Sequence, residues 1–123
     1  MHQLENRIKF YKSSVDNFFK GKYDLIVSNP PYINNLSIKY LAKDIVNYEP
    51  MVALRGGLDG SLLLYKVIKK SSSLLKVGGK LLLEIGFDQK FKVMKQLRAS
   101  NFYVNKIVKD YNNIDRCIIS TKK

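Results

Sequence analysis

Tyr23-Asp24-Leu25-Ile26-Val27-Ser28-Asn29-Pro30-Pro31-Tyr32 is the stretch on which the reading of this chain turns. Its first six residues carry a run of apolar, partly β-branched side chains, the composition of a strand covered on both faces of a sheet. Two consecutive prolines then end it. Each lacks a backbone N–H and holds φ near about −65°, so the ladder stops and the following loop is stiff. A stiff loop at a strand end can aim chemical groups. This one offers the Asn29 amide, the carbonyls of Asn29 and Pro30 and the Tyr32 ring, a set suited to holding a planar, nitrogen-bearing group by hydrogen bonds and stacking. A strand closed by a proline-stabilised turn is the plainer reading of the same residues. The functional reading rests on the hydrophobic strand that precedes the prolines.

Working outward, strands alternate with helices, the pattern of an α/β domain with a largely parallel sheet. Residues 7–11, with Ile8 and Phe10 on one face, predict a short strand, and 12–22 a loop containing Phe18 and Phe19. After the prolines, 37–46 predict a short helix through Ile38, Leu41 and Ile45, and 48–60 an irregular, glycine-rich lid or pocket wall. Asp59 or Ser61 then caps a helix that runs to about residue 76, with Leu64, Ile68, Ser71 and Leu75 on one face, until Gly78-Gly79 stops it. Residues 80–85 predict the next strand and 88–100 an amphipathic helix. The segments 102–108 and 116–120 predict an antiparallel pair around Asn112-Asn113. Glu84 breaks the apolar pattern at the carboxyl end of its strand. A carboxylate there either meets a ligand, as strand ends do in open α/β sheets, or caps nearby backbone amides.

Composition narrows the class. The 123 residues are 46% hydrophobic, enough for the core of one small soluble domain or part of one. The apolar runs are far too short to span a bilayer, and the polar start Met1-His2-Gln3-Leu4-Glu5 has no signal-peptide core. The lone Cys117 excludes an internal disulfide and suits a reducing compartment, hence the cytoplasm. Beside Ile118-Ile119 it reads as a strand thiol rather than a nucleophile. His2 stands alone near a terminus, and no metal is expected. The net charge of +12 invites a nucleic-acid reading, but the lysines are spread along every segment. Lysine also suits a solvated surface better than the bidentate base readout for which arginine is preferred. A general affinity for acidic partners survives that argument.

Taken together, Asn29-Pro30-Pro31-Tyr32-Ile33, Tyr48-Glu49-Pro50, Ala53-Leu54, Gly56-Gly57-Leu58-Asp59-Gly60 and Leu81-Leu82-Leu83-Glu84-Ile85-Gly86 resemble the HemK family of protein-(glutamine-N5) methyltransferases. The resemblance runs from about Arg7 to the C-terminus. It implies a partial class I, Rossmann-like S-adenosylmethionine-dependent methyltransferase sheet that lacks the first two strands and ends in an antiparallel hairpin. Residues 1–123 are then expected to be the C-terminal portion of a catalytic domain, because no glycine-rich turn follows a strand near the N-terminus and the family's helical substrate-recognition domain has no counterpart. The implied cofactor is S-adenosyl-L-methionine, with an incomplete site. The implied partner is a peptide-chain release factor presenting a glutamine-containing loop, in translation termination.

By the same resemblance Asn29, Pro30, Pro31 and Tyr32 form the catalytic loop, and Asn29, Pro30, Tyr32 and Glu49 hold the substrate. Asp16, Phe18, Asn29 and Glu84 are the cofactor-side residues. The family places an acid nearer Ser13-Ser14, so Asp16 fills that role only if the loop shifts, and Phe18 serves equally as a core aromatic. Without the two strands, Tyr23–Ser28 becomes an edge that invites self-association, and the isolated chain is expected to be inactive. A DNA or RNA amino-methyltransferase (adenine N6), favoured by the tetrapeptide and the basic charge, and a non-catalytic remnant remain as alternatives.

Overall fold

In the computed structural model, residues 4–30 and 60–123 are described. The expected helix at 37–46 and nearly all of the glycine-rich wall at 48–60 lie outside them, as do Pro31, Tyr32 and Glu49. The described elements are strand β1 (Tyr23–Ser28), helix α1 (Ser61–Leu74), β2 (Leu75–Glu84), α2 (Lys90–Ala99), β3 (Phe102–Lys109) and β4 (Asp115–Lys122). A single 3-10 turn, Val15–Asn17, precedes them.

The strands form one sheet in the order β1-β2-β4-β3. β1 and β2 are parallel and the other two pairs antiparallel, so among the described strands the sheet is mixed rather than largely parallel. The hairpin β3–β4 closes the chain as expected. Alternation along β2 sends Leu81 and Leu83 to one face, where they meet Leu64, Val67 and Ile68 of α1, Val93 and Leu97 of α2, and Phe102 and Ile118 of the hairpin. Both helices therefore share one face of the sheet and one core. Fully burying each such side chain contributes about 1.5–3 kcal/mol.

The other face, carrying Leu25, Val27, Leu82 and Ile119, is not covered by a second core among the described residues. Leu25 is 53% and Val27 67% exposed. In the strand order of the described residues β1 is at the edge, although its sequence is that of a central strand.

Three local expectations are revised. Residues 7–11 form no strand: the Leu4 carbonyl accepts from the N–H groups of Arg7 (2.8 Å) and Ile8 (3.1 Å), and Phe10 is exposed. A short apolar alternation without a neighbouring strand has no ladder to join. The helix α1 ends at Leu74 and β2 begins five residues early, because Leu75 is fully buried and pairs with Tyr23. The next ladder pair is Leu25 with Lys80, so the residues between bulge outward through Gly78, at φ 81°. Gly79 is required there, since a Cβ would lie 2.8 Å from the Lys76 carbonyl oxygen. Finally, the N-cap of α1 is Gly60, at φ 70°, with no side-chain cap bond, and Ser61 is the first helical residue.

Candidate active site at the carboxyl ends of the parallel strands

Because β1 runs parallel to β2 with Ser28 opposite Leu83, Asn29 just past β1 and Glu84 at the end of β2 emerge side by side at one end of the sheet. Both line a cavity of about 410 Å³, together with Ser28, Asp110, Arg116 and Cys117. Asn29 is exposed to this space while Pro30 behind it is buried, the combination expected of a loop anchored by its ring and presenting its amide. The carboxyl ends of parallel strands are where open α/β sheets receive ligands.

The far wall of the cavity is the turn between β3 and β4, which sequence reading treated only as a connection. One Asp110 oxygen accepts hydrogen bonds from the backbone N–H groups of Asn112 (2.8 Å) and Ile114 (3.0 Å), and the other accepts from Arg116 Nε at 3.0 Å. These contacts, the Ile114 N–H first and the Arg116 guanidinium next, hold the Asp110 carboxyl below its ordinary range. Asp115, at the start of β4, bridges Lys90 Nζ (3.1 Å) and Lys109 Nζ (3.3 Å), and those ammonium groups, Lys90 foremost, lower its carboxyl as well. Asn113 takes the left-handed backbone the turn needs, at φ 62°. Burial, and then the negative charge of Glu84, push the Cys117 thiol up, so it faces the cavity as a neutral group and not as a thiolate.

The two lowered carboxyls have a consequence for pH. A carboxyl depressed in the folded state stabilises that state above its unfolded value, near 3.8, and the contribution is lost as pH falls through the folded value. The β3–β4 turn is therefore expected to hold from neutral pH down to about pH 4 and to loosen below it. Amide exchange at Asn112 and Ile114 followed against pH checks this; protection that persists unchanged well below pH 3 would count against it.

The structure brings Asn29 and Glu84 together but places Asp16 and Phe18 elsewhere. A second cavity, of about 470 Å³, lies between the N-terminal arm, β1 and α1 and is lined by Val15, Phe18, Ile26 and Lys70 among others. Phe18 packs edge-on against Tyr11 with ring centroids 5.4 Å apart. Asp16 is turned toward α1, where it accepts from Lys66 Nζ at 2.7 Å. Val27 and Ser28 border both cavities.

The fold at large is shared with known methyltransferases. A methyltransferase from Pyrococcus furiosus matches 85% of this chain and 43% of its own (TM-score 0.58, 20% identity). TrmN from Thermus thermophilus matches 94% of this chain and 29% of its own (TM-score 0.59, 16% identity). The sheet with its strand-end cavity is thus a partial Rossmann-like methyltransferase fold.

No family model matches the sequence. Curated relatives do. The chain is 40% identical to the release factor glutamine methyltransferase of Clostridium botulinum over 98% of its own length and 44% of the relative's. It is 40% identical to that of Fusobacterium nucleatum over 99% and 35%, and 37% identical to a bifunctional methyltransferase of Rickettsia bellii over 95% and 21%. Over nearly all of its 123 residues the chain is thus similar to proteins named release factor glutamine methyltransferase, the HemK family, and it spans less than half the length of the curated relatives it matches.

Proposed function

We propose that this chain carries the substrate-loop part of an S-adenosylmethionine-dependent methyltransferase that modifies the side-chain amide nitrogen of a glutamine in peptide-chain release factors. The observation that carries the reading is the placement of Asn29 beside Glu84 at the mouth of a strand-end cavity, in a chain about 40% identical to enzymes of that name. The same reading assigns residues 1–123 to the C-terminal portion of the catalytic domain and the work to the cytoplasm, where release factors are used.

A glutamine amide is a poor nucleophile because its nitrogen lone pair is delocalised into the carbonyl. Two acceptors fixed at a strand end answer that difficulty. The Asn29 side-chain oxygen and the Pro30 carbonyl take the two amide hydrogens, which fixes the nitrogen's direction of attack, and both bonds strengthen as positive charge develops on nitrogen. Orientation alone is worth up to about 7–11 kcal/mol in favourable cases. Tyr32 and Glu49 complete the substrate side of this reading. S-adenosylmethionine, when bound, supplies an electrophilic methyl on a positively charged sulfur. The donor set of the cavity fits that end of the molecule: a carboxylate, Glu84, and an amide oxygen, with the Arg116 guanidinium already engaged by Asp110. The same reading gives the adenosine side to Phe18, which lines the neighbouring cavity, and to Asp16, which lines neither cavity and is held by Lys66.

The test is S-adenosylmethionine binding by calorimetry and methyl transfer to a release factor. Both are measured on the chain itself and on a chimera in which it replaces the matching part of the Clostridium botulinum relative. Transfer by the chimera to a glutamine is the expected result. Transfer to an adenine in DNA or RNA instead would overturn the reading in favour of a nucleic-acid methyltransferase.

The open edge of β1 belongs to the same proposal. An apolar edge strand is a template for pairing, and a second copy of the chain is the partner nearest to hand. The +12 charge opposes that approach, so association of the isolated chain is expected to rise with salt, as repulsion is screened. Val27→Lys, which places a charge on the edge, is expected to suppress it. Sedimentation at low and high salt decides: a monomer under both conditions removes self-pairing from the proposal.

A further inference from the structure

A third cavity, of about 520 Å³, lies at the other end of β1, between the N-terminal arm and the turn that opens the strand. Arg7, Lys9, Tyr11, Lys20 and Tyr23 line it, and no described acidic residue does. Basic residues that are spread out in the sequence are gathered here by the fold, beside two tyrosine rings. Among the described residues none of Arg7, Lys9 and Lys20 forms an ion pair with a carboxylate. Lys20 Nζ instead stands 5.0 Å from the centroid of the Tyr11 ring.

The walls are held from several sides. Arg7 belongs to a turn closed by its N–H donating to the Leu4 carbonyl, and Tyr11 rests edge-on against Phe18. The Tyr23 hydroxyl donates to the Lys20 carbonyl at 2.8 Å, and Lys22 Nζ donates to the Ser73 carbonyl of α1 at 2.6 Å. Gly21 permits this closure: its φ is 91°, and a Cβ there would lie 2.8 Å from the Tyr23 hydroxyl oxygen. Tyr23 in turn pairs with Leu75 and packs against the core, so the floor of the cavity is part of the sheet.

Unpaired cations by themselves suit any anion. Tyrosine rings beside them favour one whose charges alternate with planar groups, as the phosphates and bases of a single strand do. We infer that this cavity is a binding site for single-stranded nucleic acid, with Arg7, Lys9 and Lys20 meeting phosphates and the Tyr11 ring, 47% exposed, stacking on a base. Tyr23 and Asn29 are separated by the six-residue length of β1, about 20 Å of extended chain. A strand bound here is therefore an anchor and not the acceptor of the methyl group, and the inference is independent of the reaction proposed above.

The experiment is fluorescence anisotropy of the 123-residue chain with labelled oligouridylate and oligodeoxythymidylate of about 12 nucleotides, over a range of salt. Three phosphate contacts predict a slope of log K against log salt near about −2. Arg7→Ala/Lys9→Ala/Lys20→Ala should weaken binding about tenfold or more and flatten that slope. Lys95→Ala/Arg98→Ala/Lys106→Ala, which removes the same charge from exposed positions on α2 and β3, should change it less than about twofold. Tyr11→Ala should weaken it about fivefold or more. Tighter binding of the uridylate assigns the site to RNA, and equal or tighter binding of the thymidylate assigns it to single strands at large; either supports the inference. No binding by the parent, equal losses in the two triple variants, or competition by polyglutamate as strong as by the oligonucleotides overturns it. Unchanged binding by Tyr11→Ala overturns it too. If Tyr11→Ala lowers the urea midpoint, the two triple variants, confined to exposed side chains, decide alone.

Discussion

Asn29→Ala is expected to lower the turnover of methyl transfer on the order of 10²–10³-fold, the loss seen when one preorganised hydrogen-bonding group is removed from a developing charge. The substitution deletes the side-chain acceptor and leaves β1 and the buried Pro30 in place, so the fold has little reason to change. In the proposed reaction the bond to the substrate N–H is stronger in the transition state than in the ground state, because positive charge grows on the nitrogen. Its loss should therefore fall on kcat far more than on KM. The measurement is steady-state transfer to a release factor by the chimera with the Clostridium botulinum relative, with and without the substitution. Glu84→Gln in the same background gives the contrast: a residue on the cofactor side should weaken S-adenosylmethionine binding, with transfer restored as the cofactor is raised. If Asn29→Ala keeps more than half of the parental turnover, Asn29 is a positioning bystander and the amide-holding role passes to the backbone.

How much of this site was legible beforehand follows from the range of the interactions involved. Asn29 and Glu84 could be read because each sits at the end of an apolar run, a local signal, and a parallel pair necessarily delivers both ends to one side. Asp110 and Arg116 could not. Their importance depends on the register of β3 with β4, which sets Val108 against Cys117 and Lys109 against Asp115 and so aims the turn over the cavity. An acid and an arginine flanking a turn were the only hint. The early start of β2 was hidden for a similar reason. The pattern from Leu64 to Leu75 continues a helical face, and only the pairing of buried Leu75 with Tyr23 ends it. Residues 7–11 show the converse error: alternation alone predicted a strand where the fold supplies no neighbour. The edge position of β1 among the described strands, by contrast, was expected from the resemblance, which implies a sheet without its first two strands.

Phe102→Ala tests the other foundation of the site, the core that sets the hairpin against the helices. Phe102 opens β3 fully buried, pairs with Lys122 and packs in the same cluster as Leu97, Leu83 and Ile118. Truncating a buried phenylalanine removes its transfer free energy and leaves a cavity, at a cost of about 3–5 kcal/mol. Small domains have only about 5–15 kcal/mol to lose, and a sheet with one face uncovered among the described residues belongs at the lower end of that range. The variant should therefore keep only about 0–2 kcal/mol of stability and unfold at low urea. Tyr103→Ala provides the control one residue on. Its ring points away from the core and is 60% exposed, so the cost should stay within about 0.5 kcal/mol. Urea unfolding of the two variants separates the cases. Similar midpoints would mean that β3 is not anchored by Phe102, and the rigid turn that carries Asp110 and Tyr111 would then lack the support from below that its place at the cavity mouth requires.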